Sequence, residues 1–373
     1  AGTRPPPFEV RVQSLQPVLA GYRPGLCHAS GEVHRLRFRL AEGGPDGNAG
    51  AVGVAALGEV GPVGGDRIGN GAVLRGSRRA IRSPDIEMLK HVRHVGAVRR
   101  AFNAQKAGHA GTLDPLATGI LPIALGEATK TVPFAVDGAK AYRFTVRWGA
   151  ETTTDDTEGP VTQVSDKRPS RAEIEALLPQ FHGQISQVPP AFSAIKIAGE
   201  RAYDLARDGE DFVLEPRTVA IERLALVDQP DNETSVFEAE CGKGTYVRAL
   251  ARDMGRLLGC YGHVIALRRT RVGPFEESNS VRLETLQCAA QATDDVAIAG
   301  CLAPVEMALA SLPELLVSQS DAASLARGQS ILIRGRDAPI MEGPAFATSK
   351  GRLIALGELD KGSLHPTRVF NLG

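Results

Sequence analysis

Hydrophobic and polar positions alternate from Lys140 to Trp148. Tyr142, Phe144, Val146 and Trp148 fall on one face, and Arg143, Thr145 and Arg147 on the other. A period of two marks a strand with one buried side. The polar run Thr152-Thr153-Thr154-Asp155-Asp156-Thr157-Glu158-Gly159 then reads as a loop. Ser170, three residues ahead of Glu173, makes a capping box, and Ile174, Leu177 and Leu178 behind it predict a helix with those side chains turned inward. Strands are predicted over about residues 218–227 and 235–241. Val247, Leu250, Ala251, Met254, Leu257 and Leu258 recur at helical spacing, and Gly259 is placed to stop that helix. Residues 263–272 read as an arginine-dense strand, and residues 95–102 as the end of a helix. Beyond Cys301 the pattern shortens to strands and turns around residues 331–335, 345–347 and 353–358, which predicts a small β domain. The mixture gives an α+β fold.

Composition divides the chain. Residues 1–80 are rich in Gly, Pro, Arg and Ala, the first lysine is Lys90, and Gly43-Gly44-Pro45-Asp46-Gly47 and Gly61-Pro62-Val63-Gly64-Gly65 break any periodicity. This stretch is expected to be disordered or non-native, ahead of a main domain over 81–300 and the small β domain over 301–373. A length of 373 residues with 43% hydrophobic and 23% charged positions suits a globular protein with a sizeable core. The formal net charge is zero, so any nucleic-acid site must come from local clusters of cations. Cys27, Cys241, Cys260, Cys288 and Cys301 are scattered and form no Cys-x-x-Cys pair. That pattern predicts free thiols in a cytoplasmic protein and no zinc site. No signal peptide and no membrane-length apolar run is read from the sequence.

One stretch concentrates candidate chemistry: His109-Ala110-Gly111-Thr112-Leu113-Asp114-Pro115-Leu116-Ala117-Thr118-Gly119. Gly111 permits backbone that other residues resist, and Pro115 pushes Asp114 toward an extended conformation. A short acid on stiff, irregular backbone presents a reactive group well, although Asp-Pro taken alone also opens turns and caps helices. Cys241-Gly242-Lys243-Gly244-Thr245 lacks the spacing of a phosphate-binding loop.

The register around Asp114 is long. Phe102-Asn103-Ala104, Lys106-Ala107-Gly108-His109, Gly111-Thr112-Leu113-Asp114-Pro115, Ala117-Thr118-Gly119, Leu121-Pro122 and Leu125-Gly126-Glu127-Ala128-Thr129-Lys130 run unbroken. They resemble the catalytic motif of the TruB family of tRNA pseudouridine synthases, as do Val188-Pro189-Pro190-Ala191-Phe192-Ser193-Ala194-Ile195-Lys196 and the block from Gly199 to Arg207. The resemblance implies a pseudouridine synthase catalytic domain with an extended mixed β-sheet and a C-terminal PUA-like RNA-binding β domain. It implies isomerisation of uridine 55 in the T-loop of tRNA, with no cofactor and no metal, by a monomer that binds the T-arm stem-loop. Asp114 falls on the family's catalytic aspartate, Arg248 on its arginine partner, and Tyr142 on the tyrosine that stacks on the flipped base and assists proton removal. Tyr246 and Leu267 match residues walling the uracil pocket, and His109 the residue that fills the gap left by base extrusion. Lys130 and Asp156 match further positions near the substrate.

Arg143, Arg147, Lys196, Arg201, Lys243, Arg248, Arg252, Arg268, Arg269 and Arg271 are expected to line a basic cleft for phosphates. The family's upstream Lys-Pro-x-Gly-x-Thr-Ser stretch is absent; residues 81–94 stand in its place, as if residues 1–94 were not the native lead-in. Its absence leaves a second reading, a tRNA-binding or tRNA-folding protein with impaired catalysis.

Overall fold

The computed structural model describes residues 53–58, 85–197, 199–210, 212–333 and 342–372. Most of the N-terminal stretch expected to be disordered lies outside the described residues. The part inside, β1 (Gly53–Gly58), is a strand, unlike that expectation. After it come α1 (Asp85–Ala101), β2 (Ala107–His109), β3 (Ala117–Gly119), β4 (Leu121–Leu125) and α2 (Val132–Asp137). β4 is buried at every position and pairs with β1 on one side and β2 on the other. Its alternation serves two cores: Leu121, Ile123 and Leu125 enter one, while Ala124 enters the other.

The main sheet forms around β5 (Lys140–Trp148), the strand with the clearest alternation. A hairpin of β6 (Ala150–Thr152) and β7 (Val161–Val164) follows, then α3 (Arg171–Leu177), β8 (Gly183–Gln187), the short pair β9 (Lys196–Ile197) and β10 (Glu200–Arg201), and α4 (Ala202–Asp208). Next are β11 (Arg217–Asp228), β12 (Thr234–Cys241), α5 (Val247–Leu257), β13 (Gly262–Val272) and β14 (Phe275–Glu276). The strand order is β14-β13-β5-β12-β11-β8, antiparallel at each pairing, with β3 added parallel to β13. Phe144 stacks on Phe237 with centroids 5.4 Å apart, and Trp148 meets Phe237 edge-on at 6.2 Å. The Trp148 indole N–H is satisfied by Ser235 Oγ at 2.9 Å.

The capping box at Ser170 forms as read, with Glu173 answering the Ser170 backbone, and Ile174 and Leu177 are buried. On α5 the predicted stripe holds at Val247, Leu250, Ala251, Met254 and Leu258, but Leu257 is 61% exposed. At about 100° per residue, Leu258 returns to the middle of the stripe while Leu257 falls beyond its edge.

β15 (Val281–Arg282), α6 (Leu283–Gln291) and α7 (Asp295–Ala299) lead to the C-terminal sheet. That sheet holds β16 (Glu314–Leu316), β17 (Ile331–Leu332), β18 (Gly343–Ser349), β19 (Arg352–Asp360) and β20 (Ser363–Val369) in the order β16-β18-β19-β20-β17, with α8 (Gln319–Ala326) packed on it. The expected C-terminal β unit is therefore present. It has a small core of its own around Leu325, Ala345 and Leu364. It also contributes Phe346, Leu353, Leu356 and Phe370 to a core shared with Val54, Ile120, Ala124 and Phe275.

α5 can lie against the start of β13 because residue 255 has no side chain. A Cβ there would overlap the backbone of Tyr261 and Gly262. Gly255→Ala is expected to destabilise the fold by about 1–3 kcal/mol, the usual range for overpacking. Denaturant unfolding of the purified chain measures it.

Candidate active site

The loop carrying Asp114 is wrapped around a buried guanidinium. Arg269 is 1% exposed and donates to the carbonyls of Gly111 (3.1 Å), Thr112 (3.1 Å) and Ile120 (3.0 and 2.8 Å). Gly111 (φ +93°) and Gly119 (φ +101°) take the left-handed turns this wrapping needs, and a Cβ at Gly119 would run into the Arg269 backbone. The Asp114 carbonyl accepts from Ala117 N at 2.9 Å, closing the turn into β3.

The Asp114 carboxylate is 31% exposed and is gripped by both prongs of Arg248: Nε to Oδ2 at 3.0 Å and Nη2 to Oδ1 at 3.1 Å. Arg248 opens α5 with a side chain only 6% exposed. Its other donors go to the Thr154 carbonyl (2.9 Å) and the Phe192 carbonyl (3.0 Å), and Asp156 Oδ2 lies 3.4 Å from Nη1. Burial works against the Arg248 charge, but the Asp114 and Asp156 carboxylates outweigh it and raise its pKa. Asp156 is itself fixed by Thr154 Oγ1 and by the Glu158 amide.

Tyr142 sits opposite Arg269 across the β5–β13 ladder. Burial pushes its hydroxyl up to about 12, opposed by the adjacent Arg269 guanidinium. The phenol is therefore protonated at neutral pH. Tyr246 caps α5, and its backbone N–H and C=O are both clasped by the buried Gln187 amide, at 2.9 and 3.2 Å. Its phenol pKa is raised by burial, with Asp114 as a nearby charge. Leu267 is buried on β13, paired with both Ala117 and Phe144. His109 closes β2, and burial lowers its pKa, so its imidazole is neutral at neutral pH.

These contacts join Asp114, Arg248 and Asp156 directly, Tyr142 through Arg269, and Tyr246 at the base of the same helix. Lys130 is engaged elsewhere. Its ammonium meets Glu127, donates to the Val369 carbonyl at 2.6 Å and lies over the Phe370 ring. It ties the catalytic half to the last strand. The basic cleft expected from ten cations is also thinner than read. Arg248, Arg252 and Arg269 are buried, and Arg143, Arg268, Arg271 and Lys243 each have a carboxylate partner.

Two residues of the site were not assigned their place by sequence reasoning, Arg269 and Gln187. For Arg269 a signal existed: on a period-two strand it shares the inward face of Leu267. For Gln187 there was none. Among the described residues, no group of three His, Cys, Asp or Glu side chains is arranged to hold a metal ion, and no helix is long and apolar enough to cross a membrane. The site as built offers a partly accessible carboxylate, a protonated phenol beside a cation, and apolar and aromatic walls. That set suits nucleophilic attack on, and proton transfer at, a flat polar ring.

Comparison with known proteins gives the same direction. The family model described as TruB family pseudouridylate synthase, N-terminal domain, matches residues 99–247, and that of the tRNA pseudouridylate synthase B C-terminal domain matches residues 248–310. The tRNA pseudouridine synthase B of Bradyrhizobium diazoefficiens is 62% identical over 280 residues, covering 74% of this chain and 81% of that protein. The tRNA pseudouridine synthase B of Rhizobium johnstonii is 57% identical over 281 residues, covering 74% and 90%. Among solved structures, an H/ACA ribonucleoprotein bound to a substrate RNA containing 2′-deoxyuridine is similar in fold, with TM-score 0.59 and 23% identity over 75% of this chain and 81% of that one.

Replacing Arg248 by Met leaves Asp156 buried beside an apolar group. It is expected to destabilise the fold by about 3–5 kcal/mol, as when one partner of a buried ion pair is lost. Arg248→Met combined with Asp156→Asn should destabilise less than the sum of the two single changes. Equilibrium unfolding of the three variants checks this, and strict additivity would mean the two side chains are energetically independent.

Proposed function

Because this chain belongs to the TruB family of pseudouridylate synthases, we propose that it converts uridine 55 in the T-loop of tRNA to pseudouridine, with Asp114 as the nucleophile. The observation that carries the reading is the two-pronged grip of Arg248 on a carboxylate that remains partly accessible. A guanidinium that grips the carboxylate from one side fixes its direction and leaves the accessible side to attack.

The reaction breaks the glycosidic bond between ribose and N1, turns the uracil, and joins the ribose to C5. The proton on C5 is lost and N1 gains one, so nothing is oxidised and no group leaves the RNA. Asp114 attacks and is later released, holding the detached fragment while it turns. The Tyr142 ring stacks on the extruded uracil. Its hydroxyl assists removal of the C5 proton, with the Arg269 cation beside it stabilising the charge that develops. Tyr246 and Leu267 wall the ring. The neutral imidazole of His109 takes the place in the stack that the flipped base vacates. Asp156 serves by orienting Arg248. The chain acts as a monomer on the T-arm stem-loop, and its C-terminal unit over residues 301–373 adds RNA contact.

The test is tritium release from T-arm RNA labelled at C5 of the target uridine. The unaltered chain should release tritium. Asp114→Asn should release none while binding the RNA within about tenfold, or about 1.4 kcal/mol, because volume is kept and only the nucleophile is lost. Absence of release by the unaltered chain, or normal release by the Asn variant, overturns the reading. Tyr142→Phe removes one hydroxyl and should slow the single-turnover rate while leaving the thermal unfolding midpoint unchanged; an unaltered rate would reduce Tyr142 to packing.

A further inference from the structure

Two consecutive acids face two successive turns of α5. Asp156 meets Arg248 at 3.4 Å, and Asp155 meets Arg252, one turn further along, at 3.0 Å. All four side chains are less than a tenth exposed. Neighbouring side chains on extended backbone point apart. Asp155 has φ +59°, a left-handed conformation uncommon outside glycine, and this turn lets both acids reach the same helix. The two arginines also hold one facing segment: Arg248 Nη2 donates to the Phe192 carbonyl at 3.0 Å, and Arg252 Nη2 to the Val188 carbonyl at 2.7 Å. A spacing of four on the helix is thus met by a spacing of four on the segment. The last Arg252 donor, Nε, goes to Asp253 at 2.8 Å. The result is a ladder of two rungs, of which only the Arg248 rung touches Asp114.

We propose that Asp155 and Arg252 are a positioning pair for the reaction, fixing the two segments between which Arg248 holds Asp114. The mechanical link is short. Asp155 lies between Thr154, whose carbonyl takes Arg248 Nη1 at 2.9 Å, and Asp156, whose carboxylate faces the same nitrogen. The Asp155 carbonyl in turn accepts from Val264 N on β13 at 3.0 Å, so the loop is pinned at both ends and a change at its centre moves the groups that steady Arg248. The inference rests on the reading of Asp114 as nucleophile.

The pair also implies a pH dependence. Asp155 is faced by Arg252, Arg248 and Arg256 from α5 and by Glu151 from β6, with Asp156 beside it in the loop. Burial pushes its carboxyl up to about 6 against the pull of Arg252 and Arg248. As pH falls through that value Asp155 takes a proton and the lower rung ceases to be an ion pair, so the rate should fall with it.

The experiment measures single-turnover tritium release by the full chain at saturating enzyme from about pH 5 to 8, with RNA affinity and thermal midpoint alongside, for the unaltered chain, Asp155→Asn, Asp155→Glu and Asp114→Asn. Asp155→Asn should be slower at neutral pH on the order of ten- to a hundredfold, the scale of a misplacement of about 1 Å, with RNA affinity little changed and the chain still folded at the assay temperature although its thermal midpoint falls. Its rate should no longer fall through pH about 6, and Asp155→Glu, which restores the charge, should recover much of the rate. An unchanged rate for Asp155→Asn, or a rate that falls only in step with RNA affinity or with the folded fraction at the assay temperature, overturns the proposal. Should Asp155→Asn fail to fold, Arg252→Lys replaces it, because Lys keeps the charge but its single nitrogen cannot span the acceptors that Nε, Nη1 and Nη2 of Arg252 reach separately. A folded, slowed Lys variant supports the proposal, and a normal rate overturns it. Asp114→Asn separates the two ideas: if it is inactive while Asp155→Asn is normal, only the positioning pair is wrong. Turnover by Asp114→Asn, or none by the unaltered chain, removes the nucleophile reading and the pair's role with it.

Discussion

A guanidinium withdrawn from water must have its N–H groups met by the protein, and the site is arranged around that requirement. Arg248 draws one carboxylate from the motif loop, a carbonyl and a second carboxylate from the loop after β6, and another carbonyl from residue 192. These partners lie 134, 94 and 56 residues away in the hydrogen bonds they accept. Removing one leaves the others facing an uncompensated buried charge, so the assembly holds together or is lost together. Arg269 does the same for the motif loop with carbonyls in place of carboxylates. One arginine therefore shapes the backbone on which Asp114 stands, and the other aims its carboxylate.

Much of the frame was legible in the order of side chains. β5 alternates because one face meets Phe237 and the β13 side chains, and α3 begins where Ser170 and Glu173 can satisfy each other's backbone. These are local signals, and local patterning dominates where an element has one apolar face. Asp114, Tyr142 and Arg248 were legible only through a long motif, since an acid before proline, a strand tyrosine and a helix arginine each have an ordinary explanation alone.

What stayed hidden has a common physical cause. Arg252 looks like a solvated charge until its partners arrive from far along the chain. The same holds in reverse for Lys130, which sequence places beside the motif and the fold commits to the last strand. Burial of charge is decided by tertiary partners, and no short window of sequence contains them. β1 is a milder case: Gly-Val-Ala-Ala-Leu-Gly has no strong strand preference of its own, and it is ordered by pairing with β4 and β15.

The core shared between the two halves bears on how the protein is made. Val54, close to the beginning of the described chain, and Phe370, two residues from its end, belong to the same buried cluster. A ribosome synthesises them hundreds of residues apart. The main sheet can assemble on the emerging chain, since β5, β12 and β13 are complete well before the C-terminal strands appear. The second core cannot close until the last strand has left the exit tunnel. During that interval the faces of Ile120, Ala124 and Phe275 await their cover, and nascent chains stalled before β18 would display them to chaperones.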